Sequence, residues 1–176
     1  RNKIWVHEGG IATPCILHWP AVIPSGGNLR HAPAHIIDFV PTVLELAGLS
    51  TPENWGGLAR PSLPGKSLVP LFQRDAAIPR DALYWHHESN RALRVGDWKL
   101  VSESENASQW ELYDLKRDRI ESKNLAPSHP ERVQEMSAVW AFVSIIDHLS
   151  GPFRLSAAPR FLILIQDDYK PGDETS

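Results

Sequence analysis

Lys3 stands five residues ahead of a Glu8-Gly9-Gly10 turn, and a fixed ammonium near a glycine turn could stabilise negative charge developing on an oxygen. Taken in isolation, Lys3 reads as a solvated lysine close to a chain terminus. Glu8 offers a carboxylate base, but before Gly-Gly such a group more often organises a turn by accepting backbone N–H bonds, the structural role expected here. Gly9 and Gly10 then allow the tight turn and a close backbone approach to substrate. His7 is expected to lie behind the site or to face solvent. The run His86-His87-Glu88 has metal-ligand residue types, yet adjacent strand residues point to opposite faces and cannot converge on one ion, so zinc is not expected. Cys15 lies in the apolar run Ile11 to Leu17 and is expected to pack as a small buried hydrophobe.

The elements that must position these groups can be read from local pattern. Ile11 to Leu17 reads as a strand buried on both faces, ending at Trp19-Pro20 because proline cannot donate to a ladder. A helix is expected from about Asp38 to Ala47, with Phe39, Val40, Val43, Leu44, Leu46 and Ala47 as its apolar face, Asp38 as N-cap and Gly48 as the stop. His35 and Asp38 are assigned to capping and packing. Gly65 to Phe72 suggests a brief helical turn. Beyond Pro79 the pattern changes to strands at Ala82–His86, Asn90–Val95, Trp98–Val101 and Trp110–Asp114, with a hairpin turn at Gly96-Asp97. A last helix is expected near Ser128, through a Ser128-x-x-Glu131 capping box with Pro130 in the first turn. Val133, Met136, Trp140 and Val143 give it a core-facing stripe. Residues 82–143 are expected to be the tightest unit and residues 1–20 to lie loosely. Asn106-Ala107-Ser108 fits a glycosylation sequon, a triplet that chance also produces.

Composition bounds the function class. The chain has 176 residues, 42% of them hydrophobic, and a formal net charge of -3, enough for one domain with a core and without the basic excess of a nucleic-acid or membrane surface. No apolar run reaches transmembrane length. One cysteine makes no internal disulfide. Localisation stays open, periplasmic and secreted included.

Four blocks in order resemble the sulfatase family: Lys3 to Pro20, His35 to Gly48, Leu83 to Val101 and Trp110 to Leu115. The likeness is to bacterial arylsulfatase-like enzymes of the alkaline phosphatase superfamily. It implies an α/β fold, α+β within this chain: residues 1–80 end the catalytic domain, 81–149 form a small antiparallel sheet packed by a C-terminal helix, and 150–176 are unassigned. It also implies that Lys3 is the catalytic, sulfate-contacting lysine and that His87 lies at the active-site mouth as a substrate-binding residue. His86 and Ser89 depart from the Trp-Glu-His-Glu-Gly-Asn pattern of related enzymes. The family works through a formylglycine nucleophile and a divalent cation, usually calcium. No Cys-x-Pro-x-Arg, Ser-x-Pro-x-Arg or Asp-Asn-Gly motif occurs, so no metal ligand and no nucleophile is assigned. The chain is thus expected to be the C-terminal part of a sulfatase, inactive alone. The implied partner is a small-molecule or carbohydrate sulfate ester, with no nucleic acid and no membrane span. Two rivals stay open: a phosphonate monoester hydrolase or phosphodiesterase of the same superfamily, and a non-catalytic remnant or binding module.

Overall fold

The computed structural model describes residues 5–23, 27–51, 54–55, 57–59, 63–103 and 109–149. Lys3, the Asn106 sequon and residues 150–176 lie outside the described residues. In chain order the elements are α1 (Glu8–Ile11), a 3₁₀ turn (Ile36–Asp38), α2 (Phe39–Leu46), β1 (Asn54–Trp55), β2 (Leu58–Ala59), α3 (Pro70–Gln73), β3 (Leu83–His87), β4 (Asn90–Val95), β5 (Trp98–Ser102), β6 (Glu111–Asp114), a second 3₁₀ turn (Ala126–Ser128) and α4 (Pro130–Leu149). Two units result, one from residues 5–15 and 81–149, the other from 16–80.

The first unit is a four-stranded antiparallel meander, β3-β4-β5-β6. Its turns are short: His87 pairs with Asn90 across Glu88-Ser89, and Val95 with Trp98 across Gly96-Asp97. Gly96 takes a φ of 58°, as the expected hairpin requires, and Glu88 takes 53° at the equivalent place in the first turn. Strand alternation sorts the side chains into two layers. Leu93, Leu100 and Leu112 face α4, meeting Met136 and Trp140 with Val133 alongside. On the same face the Arg91 guanidinium sits 5.0 Å from the Trp110 ring and 4.9 Å from that of Trp140, and donates to Ser102 Oγ.

The opposite face is covered by the start of the described chain. Val6 is buried with Ala92, Val101, Tyr113 and Leu115, and Ile11 and Trp85 pack around them. The expectation of loose residues 1–20 therefore fails over residues 5–11, where Val6 and His7 are buried because the second face of the sheet is apolar and needs a cover, while residues 12–20 are exposed and outside any helix or strand. The predicted Ile11–Leu17 strand is also overturned. Glu8–Ile11 is helical, and among the described residues no strand pairs with residues 12–17. Ile16 is 89% exposed and Cys15 is exposed, so the cysteine is not core here. A run that apolar needs neighbouring strands to become a buried one.

In the second unit, Asp38 is the polar hub. Its carboxylate accepts from His35 N–H, from Lys66 N–H and from Arg80, all at 2.8 Å, and the His35 ring accepts from Ile37 N–H, closing a capping box. Capping by His35 and Asp38 is as expected, but it heads the 3₁₀ turn rather than α2. The expected apolar face of α2 is largely exposed. Thr42 is its buried residue, donating to Asp38 C=O and accepting from Leu68 N–H, while Phe39, Val40, Val43 and Leu46 are exposed. The unit's apolar core is Leu68, Leu71, Phe72 and Ile78. In the first unit, the predicted Ser128 cap does not form. That hydroxyl donates to Leu125 C=O inside its own 3₁₀ turn, and α4 begins at Pro130.

Candidate functional site

The residues around Glu8 form a buried charged ring on the sheet face opposite α4. Lys99, mid-strand in β5, shares that face with Ala92 and Val101, and its side chain has no exposed surface. Its ammonium donates to Glu8 Oε1 at 2.8 Å and lies 2.9 Å from Glu121 Oε1, an ion pair too bent to count as a hydrogen bond. The Trp85 ring closes over the same nitrogen at 5.8 Å. Glu121 Oε2 accepts the backbone N–H of Glu8 at 2.7 Å. Glu8 is therefore held twice, by its side chain from β5 and by its backbone from the loop after β6.

One residue earlier, His7 is buried on the same face. Its Nε2 lies 3.0 Å from Glu111 Oε2, which also accepts from the Tyr113 hydroxyl at 2.7 Å, and 3.9 Å from Glu103 Oε1. The expectation that His7 faces solvent fails, because its ring is buried against Glu111. Among the described residues, His7, Glu103 and Glu111 bring one possible ligand atom each within 4.8 Å of one another. One nitrogen and two carboxylates do not fit the calcium that the family resemblance implies, since that ion takes about six to eight oxygens.

Among the expected site residues that the structure describes, the Glu8-Gly9-Gly10 turn and His87 lie on the same face of the sheet, opposite α4. Glu8, Gly9 and Gly10 form the first turn of α1, with Gly10 and Ile11 N–H donating to His7 C=O. The roles within the turn are redistributed: Glu121 is the carboxylate that accepts a backbone N–H, and Glu8 pairs with a lysine. Both glycines adopt helical backbone. His87 ends β3, exposed, on the same face of the sheet as Trp85. His86 is on the other face, edge-on to Trp140 at 5.9 Å, so the two histidines diverge as strand geometry demands. Lys99, Glu121, Glu111 and Tyr113 were not foreseen. The available signal was Lys99 itself, a charged residue at an inward position of a strand whose two faces both carry apolar residues.

The family model for the C-terminal part of N-sulphoglucosamine sulphohydrolase matches residues 1–141. An uncharacterized sulfatase of Schizosaccharomyces pombe is 30% identical over 144 residues, which is 79% of this chain and 26% of that protein. N-acetylglucosamine-6-O-sulfatase of Bacteroides thetaiotaomicron is 27% identical over 136 residues, covering 70% of this chain and 23% of that protein. A solved structure connected with the metabolism of multiple glycosaminoglycans by Bacteroides thetaiotaomicron aligns with a TM-score of 0.64 at 25% identity, covering 80% of this chain and 31% of that one. The chain spans about a quarter of the length of these curated relatives. Because the family match takes in both the Glu8 turn and the sheet that grips it, the chain belongs to the sulfatase family and corresponds to the C-terminal region of its members.

Proposed function

We propose that the complete protein hydrolyses sulfate esters and that this region supplies Lys3 as the cation at the sulfate and His87 as part of the substrate rim. The observation that carries the reading is the family match over residues 1–141, which includes Lys3 and the Glu8-Gly9-Gly10 turn five residues on. Sulfate-ester hydrolysis is the activity of the family. Cleavage of the S–O bond moves negative charge onto the bridging oxygen, and a positioned ammonium lowers the cost of that charge. A formylglycine and a calcium ion, both from sequence outside this chain, would supply the nucleophile and the Lewis acid. The substrate class is a small-molecule or carbohydrate sulfate. Support for the sugar arm comes from the N-acetylglucosamine-6-O-sulfatase relative, and for the aryl arm from arylsulfatase K of Danio rerio, 30% identical over 159 residues.

The test is to assay the complete protein side by side on an aryl sulfate, a glucosamine 6-sulfate and an aryl phosphodiester, with the 176-residue chain as a control. Sulfate turnover by the complete protein, a lower kcat/KM on the phosphodiester and silence from the chain alone are expected. Preference for the phosphodiester would move the protein to the phosphonate monoester hydrolase and phosphodiesterase side of the superfamily.

A further inference from the structure

The His7, Glu103 and Glu111 side chains play no part in the sulfatase reading, yet they converge on one point of the sheet face opposite α4. Strand β5 pairs with β6 so that Val101 lies across from Glu111, and alternation puts Glu103, two residues past Val101, on that same face. The two carboxylates are diagonal neighbours where the β5–β6 loop leaves the sheet, a placement in which like charges repel. His7 meets them from a separate part of the chain. Its carbonyl accepts the Gly10 and Ile11 N–H groups of α1, its ring packs edge-on to Tyr113 with centroids 6.1 Å apart, and its side chain is 5% exposed. With backbone and ring both fixed, Nε2 faces Glu111 Oε2 at 3.0 Å and Glu103 Oε1 at 3.9 Å.

These spacings suit a tetrahedral zinc ion. With bonds of about 2.0–2.2 Å, the ligand atoms around zinc stand about 3.4 Å from one another. The two nitrogen–oxygen distances straddle that value, and the three atoms lie within 4.8 Å of one another. The surroundings match as well. The Tyr113 hydroxyl donates to Glu111 Oε2 at 2.7 Å, the outer hydrogen bond that orients a ligating carboxylate. Glu103 and Glu111 are 34% and 30% exposed, which leaves an entry path and room for a water as fourth ligand. The charge of a dication equals that of the two carboxylates it would join. Adjacent His86 and His87 have no such convergence, because neighbouring strand residues point apart.

We propose that His7, Glu103 and Glu111 bind a divalent transition metal, zinc by ligand type, and that the ion clasps the start of α1 to both ends of the β5–β6 connection. The site is independent of the sulfatase reading, and no role in turnover is assigned to it.

Equilibrium dialysis of the complete protein against zinc, with calcium in large excess to fill oxygen-rich sites, counts the bound metal. The wild-type protein should hold one zinc more per chain than Glu111→Gln. Tyr113→Phe, which removes only the outer hydrogen bond, should weaken binding about ten- to a hundredfold, and Glu103→Gln, which removes a ligand, by at least as much. His31→Asn, which removes an exposed imidazole elsewhere, should bind as the wild type does. Cobalt in place of zinc reads the geometry: the intense visible bands of a four-coordinate ion are expected in the wild type and absent in Glu103→Gln. Because Glu103 is partly exposed, Glu103→Gln serves even if a change at buried His7 or at Glu111 does not fold. Equal zinc uptake by the wild type, Glu103→Gln and Glu111→Gln would be adventitious binding elsewhere and would overturn the site. No uptake by the wild type, or only the weak bands of six-coordinate cobalt, would overturn it too.

Discussion

Removing the Lys99 ammonium should be the most damaging single substitution in the sheet unit, and the reason lies in what it leaves behind. At 2.8 and 2.9 Å from the two carboxylates, and with an effective dielectric of about 20, each attraction is worth about 6 kcal/mol, offset by several kcal/mol of lost hydration for each ion. The intact ring is therefore close to neutral in net stability. Lys99→Met abolishes the attraction while Glu8 and Glu121 remain 11% and 3% exposed, so the cost is that of breaking a buried pair, about 3–5 kcal/mol. That is a large share of a total of roughly 5–15 kcal/mol. Native-state hydrogen exchange at the amides of β4 and β5 reads opening of this unit directly. The companion is the triple variant Lys99→Met/Glu8→Gln/Glu121→Gln, in which no charge is stranded, and it should recover at least about half of the loss. If Lys99→Met costs less than about 1 kcal/mol, or the triple variant is no better than the single one, the ring is not behaving as a buried charge cluster and the reasoning is wrong.

The second unit offers two further tests. Burial pushes the His35 imidazole below its ordinary pKa, with Arg80 adding to the effect and the nearby Asp38 opposing it. A lowered folded-state pKa means the unfolded chain takes up the proton first, so this contribution is complete above about pH 6.5 and is lost as pH falls through the folded value. Urea midpoints should therefore drop between about pH 7.5 and 5.5, and His35→Asn, which still caps Ile37, should flatten the drop; equal slopes would count against it. At Gly65, an added Cβ would lie 2.6 Å from the carbonyl carbon of Ile37, where Lys66 N–H reaches Asp38, so Gly65→Ala should destabilise by about 1–3 kcal/mol and lower Tm by several degrees. A Tm unchanged within about 1 °C would show that the Ile37 backbone yields freely.

The sheet was legible because its signals are local. Alternation in β3 to β6, the Gly96-Asp97 turn and the stripe Val133, Met136, Trp140 each specify an element with little help from distant sequence. What could not be read depends on contacts far along the chain. Lys99 and Glu8 are 91 residues apart and Glu8 and Glu121 are 113 apart, so neither pattern nor propensity shows that they meet. The orientation of α2 could not be read for a related reason. Its apolar stripe is legible, but Thr42 anchors the helix through Leu68 N–H, leaving Phe39, Val43 and Leu46 outward with Ile16 and Leu17 also exposed. A hydrophobic face identifies a surface to be covered and is silent about what covers it. The glycines of Glu8-Gly9-Gly10 mark a turn in the sequence, but the grip on that turn comes from Glu121, whose left-handed backbone no sequence rule marks.

The most direct measurement is kcat/KM of the complete protein on an aryl sulfate with and without Lys3→Ala. Loss of a positioned charge-stabilising donor predicts a fall on the order of a hundredfold or more in a protein that remains folded. A fall of less than about twofold would make Lys3 a bystander and contradict the placement of a catalytic cation ahead of the Glu8 turn.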